Sequence, residues 1–319
     1  MSAAKETMTS RQRVIRAIEH KEVDRMPIDL GLHLSSGISA FAYYNLRENL
    51  GLSTNNIKII DPMQFLARVD EDVLELFHCD CYHLHPGFYN PVIYNPRGKY
   101  HFITEQRLLP QLNEKGEWIL KNNDRQARMP KNGYFFDGNW IHPFDQTDER
   151  TLDRLAIEAE RIYKETDYFT MFMGWGAFMG GLDFLIDMIE DPDKIHEINK
   201  RQLKWQIEQT KRVIEKMGRY VQCIGINSDL GTQSGPMVKP ALYEELVFPY
   251  LKEYCDFVHR ESDMKIFLHS CGSIEPFIPL LIEAGVDILN PVQISANNME
   301  PEMLKEKYGD KITFWGGRL

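Results

Sequence analysis

The sequence predicts an α/β protein built as a (β/α)8 TIM barrel, and three observations carry that prediction. Short apolar runs without polar alternation recur along the chain, as in the strands of a parallel sheet covered on both faces. Amphipathic helical stretches separate these runs with a regular rhythm. No G-x-G-x-x-G opens a helix after the first run, which removes the commonest reason to prefer a doubly wound open sheet.

Thr9 to His20 is predicted as an amphipathic helix, with Val14, Ile15 and Ile18 forming its apolar stripe behind a Thr/Ser-type start. Met26 to Leu30 follows as a short strand, Ser35-Ser36-Gly37 as a turn and Ile38 to Leu50 as a helix. A helix from Pro62 to Phe77 and a strand from Asp80 to Leu84 complete the second βα unit. Between residues 86 and 139 the pattern changes. Turn signals at Asn95–Gly98 and Asn113–Gly116 separate alternating runs such as Tyr100–Ile103 and Glu117–Leu120, which is hairpin chemistry. This segment reads as a β-rich insertion in a single domain spanning residues 1–319. A small independent domain is the alternative, but no Pro/Ser/Gly-rich linker flanks it.

Past Asp148 the alternation becomes regular. A helix from Thr151 to Thr166 precedes the strand Phe169–Met173, and a long helical block runs to Met217 with a break at Asp191-Pro192. Then come the strand Val221–Ile226, a helix from Pro240 to Glu261 bent at Pro249, and the strand Lys265–Leu268. The helix Ile274–Ala284 with Gly285 as its cap, the strand Asp287–Leu289, the helix Glu300–Tyr308 and the run Thr313–Trp315 follow. Seven strand-like runs are counted. The sequence stops just after an apolar run and a Gly pair, so the expected barrel lacks its last βα unit here and would keep an open edge.

Composition narrows the function. The 319 residues are 43% hydrophobic and 26% charged, enough for a continuous core and against wholesale disorder. A net charge of -10 repels polyphosphate and argues against general nucleic-acid binding. Five cysteines in so long a chain are too few for a disulfide framework, and Met1 to Arg13 carries charges where a secretory signal needs an apolar core. A reducing cytoplasm is therefore expected. The uncharged apolar stretch Tyr168 to Leu182 is too short and too rich in glycine to span a bilayer.

In a parallel barrel, polar groups just after strands converge on one face, and four places qualify. They are Asp29, the segment Asn227–Gln233, the segment His269–Gly272 and the segment Asn290–Gln293. His269 and Cys271 carry the sharpest chemistry, because imidazole and thiolate separated by one residue at a strand end can turn toward one ion, and Zn²⁺ favours N/S ligands. The plainer alternative is a half-buried histidine beside an inert cysteine. Asp229 either caps its glycine-rich turn or faces a pocket. Gln233, Asn290 and Gln293 suit substrate orientation, or else satisfy local backbone. Asp29, set among apolar neighbours, would act as an acid or base if it faced inward. The alternating cluster Cys79, Cys81, His83 and His85 spans about 20 Å on a strand, so its members cannot all bind one ion and read most simply as strand interior.

Several segments together resemble the uroporphyrinogen decarboxylase superfamily. They are Arg11–Ile18 with Asp24–Ile28, then Asp229–Gln233, Phe267–Gly272, Gly285–Gln293, Gly309-Asp310 and Phe314–Gly317. The similarity is closer to its methyltransferase-like branch, which includes zinc enzymes that move methyl groups from methylated corrinoid proteins to coenzyme M. That resemblance implies a (β/α)8 barrel with its site at the strand C-termini and zinc held by His269, Cys271 and a further cysteine nearer the C-terminus. No cysteine follows Cys271. Either that ligand lies in an absent segment, or a carboxylate replaces it, or zinc is not held firmly. The arginine-rich segment that grips substrate carboxylates in true decarboxylases has no counterpart at Asp29–His33.

The resulting expectation is a zinc-dependent methyltransferase acting between a methylcobamide on a partner corrinoid protein and a small-molecule thiol acceptor. His269 and Cys271 would be metal ligands, Asp229 a further ligand or acceptor-holding group, and Gln233, Asn290 and Gln293 substrate-orienting groups; a homodimer is allowed. Two alternatives stand beside it: uroporphyrinogen decarboxylation using Asp29, and a non-catalytic corrinoid- or tetrapyrrole-binding protein.

Overall fold

The computed structural model describes residues 6–95, 98–122, 125–138 and 140–317. Two compact units result, one drawn from Met1–Pro27 and Ala159–Leu319, the other from Ile28–Glu158. Met1 to Lys5, Pro96 and Arg97 of the Asn95–Gly98 turn, Asn139 at the end of the expected insertion, and Arg318-Leu319 lie outside the described residues.

The first unit is α/β. Its opening helix α1 (Ser10–Ile18) starts where the sequence signal lies: Thr9 accepts from the Gln12 backbone and Gln12 reaches back, a complete capping box. The buried Arg13 ties this helix to Asp24 at 2.6 Å, and that hydrogen bond holds the Asp24 carboxyl well below the usual range. After α2 (Glu149–Glu165), whose residues up to Glu158 belong to the second unit, come β1 (Phe169–Gly176), α3 (Leu182–Glu190) and α4 (Pro192–Met217). Asp191, whose side chain accepts from Lys194 N at 3.2 Å, and Pro192 make the break between the two helices. Next are β2 (Cys223–Asn227), α5 (Pro240–Leu246) and α6 (Phe248–Glu261), the last two parting at Val247, just before Pro249. Then β3 (Lys265–His269), α7 (Ile278–Ala284), β4 (Ile288–Asn290), α8 (Pro301–Tyr308) and β5 (Thr313–Phe314) complete the unit. Gly285 ends α7 at a φ of +98°, a conformation open to glycine.

The five strands pair in sequence order, each parallel to the next. A doubly wound sheet reverses its order at a switch point, whereas consecutive parallel neighbours make the wall of a barrel. These strands therefore form a half-barrel sheet. Ile224, Ile226, Ile266, Leu268, Ile288 and Leu289 are fully buried, as expected of strands covered on both faces. No helix among the described residues is long and apolar enough to cross a membrane.

The second unit, Ile28–Glu158, is β-rich. Ile38–Ser39, Leu66–Ala67, Ile57–Asp61, Phe102–Glu105 and Pro91–Tyr94 lie in that order in one sheet. Asp137–Gly138, Arg125–Met129, Trp118–Asn122 and Gln111–Leu112 make an antiparallel sheet. The Asn113–Gly116 turn joins two of these strands, its Asn113 Oδ1 accepting from Lys115 N at 3.0 Å and Glu117 N at 2.9 Å. The helices Ala40–Asn49 and Glu71–Leu76 also belong to this unit. Phe41 stacks on Phe65 at 4.9 Å between ring centres, and Phe102 packs edge-on against both.

Two expected elements differ. Met26 to Leu30 forms no strand: Ile28 N donates to the Asp80 carboxylate instead of to a ladder partner, and Pro27 has no donor at all. The expected helix from Pro62 to Phe77 survives only as Glu71–Leu76. Its first half is a tight reversal in which Asp61 Oδ1 accepts from Met63 N at 2.8 Å and Phe65 adopts a φ of +58°. Met63, Phe65, Leu66, Ala67 and Val69 are all buried, so the apolar spacing was real but served strands and a turn.

Candidate metal centre

Strand register builds the site. Asn227 lies opposite His269, and His269 opposite Asn290, so the last residues of β2, β3 and β4 form a row along the C-terminal end of the sheet. The chain then turns at each position. The loop after β2 brings Asp229, the loop after β3 brings Cys271, and the loop after β4 brings Gln293.

His269 is oriented from behind. Its Nδ1 lies 2.8 Å from Asn290 Oδ1, while Asn290 Nδ2 donates to the Trp315 carbonyl at 2.9 Å. The carbonyl fixes which end of the amide faces the ring, so Asn290 Oδ1 accepts and Nδ1 carries the proton. Nε2 is left as the lone-pair nitrogen. It points at Cys271 Sγ, 3.6 Å away, and at Asp229 Oδ1, 3.7 Å away. The ligand-capable atoms of Asp229, His269 and Cys271 all lie within 4.8 Å of one another. A metal-ligating histidine that donates its other N–H to an acceptor has the tautomer and orientation this arrangement supplies.

The thiol is not poised by itself. Burial pushes Cys271 up to about 11, and the nearby Asp229 carboxylate pushes the same way. Without a cation the sulfur keeps its proton at neutral pH, so the donor set of nitrogen, sulfur and carboxylate oxygen suits a positive ion rather than a free nucleophile. Asp229 is 60% exposed at its side chain and accepts from Cys271 N at 2.9 Å, which couples the two loops directly.

Close backbone contact locks these loops together. Ser273 N donates to the Thr232 carbonyl at 2.8 Å, and Leu230 N to the Ser270 hydroxyl at 3.0 Å. A Cβ on Gly272, whose φ is +90°, would meet the Gly231 carbonyl at 2.3 Å, so glycine is required where the loops touch. Gln293 Oε1 accepts from Gly272 N at 3.0 Å, Gln293 Nε2 donates to Gln233 Oε1 at 2.8 Å, and Gln233 Nε2 donates to the Ser295 carbonyl. These two amides fasten the loops. The sequence had not marked Trp315 or Ser270 as contributors, because one acts through its backbone carbonyl and the other through a hydroxyl that accepts from a neighbouring loop.

The remaining candidates lie elsewhere. Asp29 is in the other unit, in a half-buried turn and not at a strand end, where its Oδ1 accepts from Leu32 N at 2.9 Å. Cys79 and Cys81 are buried core residues, and the neighbouring His83 is driven down to about 4 by burial.

Asn290 yields a direct expectation. Asn290→Ala removes the acceptor that fixes the ring and is expected to weaken divalent-metal binding by about 10- to 100-fold, whereas Asn290→Asp, still able to accept from Nδ1, retains more of it. Competition with a chelator measures both. Equal affinity in Asn290→Ala and the unaltered protein would show that the amide does not govern the ring.

Residues 170–316 match the family model for uroporphyrinogen decarboxylase (URO-D), a span that contains β2 to β5 and the whole triad. The fold is also similar to that of a methyltransferase from Methanosarcina mazei, with a TM-score of 0.51, 14% sequence identity, and coverage of 97% of this chain and 82% of that one. At that identity the likeness is one of fold. No curated protein matches the chain.

Proposed function

Residues 170–316 carry the uroporphyrinogen decarboxylase family pattern, and on that premise we propose that the chain is a zinc-dependent methyltransferase. It moves a methyl group from a methylated corrinoid, carried by a partner protein, to a small thiol. The barrel of the proposal is the (β/α)8 form, with the five parallel strands as part of its wall. The observation that carries the reading is the convergence of His269 Nε2, Cys271 Sγ and Asp229 Oδ1 within 4.8 Å.

The residues present fit zinc. Imidazole nitrogen, thiolate sulfur and carboxylate oxygen are its ordinary ligands, and three protein ligands leave the fourth tetrahedral position for substrate. The resemblance calls for a further cysteine nearer the C-terminus and none follows Cys271; the nearness of the Asp229 carboxylate to the other two groups supports the alternative in which a carboxylate serves as third ligand. When bound, zinc would lower the pKa of an acceptor thiol so that its thiolate exists at neutral pH. Asn290 holds the imidazole, the paired glycines hold the two ligand-bearing loops, and Gln233 and Gln293 keep the loop after β4 against them. These groups preorganise the site instead of being ordered on binding.

The test is direct. Zinc-loaded protein is incubated with methylcobalamin and 2-mercaptoethanesulfonate, and thioether formation is followed with loss of the methyl-cobalt absorbance. Turnover by zinc-loaded but not by chelator-treated protein is expected. No thioether from a panel of thiols while zinc remains bound would remove the methyl-transfer assignment. Release of CO₂ from uroporphyrinogen by metal-free protein would put a decarboxylase in its place.

A further inference from the structure

A cavity of about 330 Å³ lies within the unit Ile28–Glu158, with Arg68, His85, Phe88, Arg154, Ile157 and Glu158 on its walls. None of these residues belongs to the metal triad. The charge of Arg68 is answered inside the wall: its Nη2 donates to Glu158 Oε1 at 2.6 Å, and the Tyr82 hydroxyl donates to the same oxygen at 2.9 Å. Arg154 differs. Its Nη1 donates to the carbonyls of Pro86 at 3.3 Å and Phe88 at 3.2 Å, and its guanidinium lies 4.3 Å from the centre of the Tyr89 ring. No carboxylate pairs with it among the described residues. Carbonyls and a ring face ease the partial burial of a guanidinium but bring no countercharge.

His85 supplies a second, independent observation. It is 4% exposed, and its Nδ1 accepts from Gly87 N at 3.0 Å, which places the ring proton on Nε2. Burial keeps the ring neutral, driving its pKa well below the ordinary histidine value. Nε2 finds no acceptor among the described residues. A buried N–H without an acceptor is a costly arrangement that an added acceptor would relieve.

We propose that this cavity binds a small organic carboxylate, whose oxygens supply the countercharge of Arg154 and an acceptor for His85. The charges decide the class. Two guanidinium groups and one carboxylate leave one positive charge in the walls of a chain whose net charge is -10, so the cavity favours an anion and one negative charge balances it. A phosphate dianion would overshoot. Phe88 on the wall, and Ile157, which is 69% exposed, give an apolar part of the ligand something to cover. The volume sits at the lower end of the range for ligand pockets, which limits the occupant to a small molecule.

Calorimetric titration of the full chain with benzoate, benzyl alcohol and inorganic phosphate tests this. Benzoate is expected to bind saturably, with benzyl alcohol and phosphate each weaker by roughly tenfold or more. Arg154→Gln and His85→Phe are each expected to weaken benzoate by a similar factor, with thermal melts confirming that the variants fold. Should Arg154→Gln not fold, Arg154→Lys keeps the charge, loses the fork, and is expected to bind benzoate less tightly than the unaltered protein. The proposal is overturned by absence of saturable benzoate binding, by phosphate binding as tightly as benzoate, or by variants that bind benzoate unchanged.

Discussion

His269→Ala and Cys271→Ala proteins are expected to emerge from dialysis against a chelator without zinc, whereas the unaltered chain retains close to one ion. The size of the effect follows from the ligand count. Structural zinc sites with four ligands bind with roughly 10–16 kcal/mol, so one strong ligand is worth about 3 kcal/mol, a factor of about 100 or more in dissociation constant. Removing His269 also leaves Asn290 Oδ1, fixed by the Trp315 carbonyl, without the ring it orients. Asp229→Ala is expected to do less, about tenfold, because a carboxylate 60% exposed already shares its charge with water. Metal analysis of the purified variants, with thermal melts to show that each is folded, gives the result. Unchanged zinc stoichiometry in both the His269 and Cys271 variants would end the zinc reading and with it the proposed chemistry.

That ranking of ligands also shows what the sequence could and could not reveal. The pair His269 and Cys271 is local: two residues apart at the end of an apolar run, it announces itself without tertiary information. Asp229 is not local. It reaches the pair because β2 and β3 are parallel neighbours in register, and because Gly231 and Gly272 let two loops touch. A sequence shows the glycines and the acid but not their meeting. The same limit holds for Gln233 and Gln293, which the sequence offers either as substrate-orienting groups or as partners of local backbone and which bond to each other at 2.8 Å across two loops. The regular C-terminal rhythm of strands and helices was legible because parallel strands are uniformly apolar and their helices are capped by conspicuous residues such as Asp191-Pro192 and Gly285. Where the chain folds back within a few residues, as at Asp61–Phe65, a helical apolar spacing and a short hairpin-like reversal are hard to tell apart by period alone. The Arg154 and His85 cavity carried no sequence signal, since its character comes from a missing countercharge and a missing acceptor.

Zinc affinity is expected to rise with pH, about 100-fold between pH 7 and pH 9. The Cys271 thiol is pushed up to about 11, first by burial and then by the Asp229 carboxylate beside it. Throughout that window the metal-free thiol is therefore protonated, and a metal that binds the thiolate must displace one proton. One proton released per ion means a tenfold gain in apparent affinity for each unit of pH below about 11, and the gain ends once the thiol is already ionised. The same carboxylate that raises the thiol in the absence of metal stabilises the cation once it is present, so Asp229→Asn is expected to make the pH dependence shallower at its upper end while weakening binding overall. Cys271→Asp is the decisive comparison, because a carboxylate is ionised across the whole window and should bind zinc with little dependence on pH. Chelator competition at each pH, joined to the protons released in calorimetry across buffers of different ionisation enthalpy, measures both slopes. A flat profile in the unaltered protein would mean that sulfur is not a ligand, and the site would reduce to an imidazole and a carboxylate facing each other across two loops.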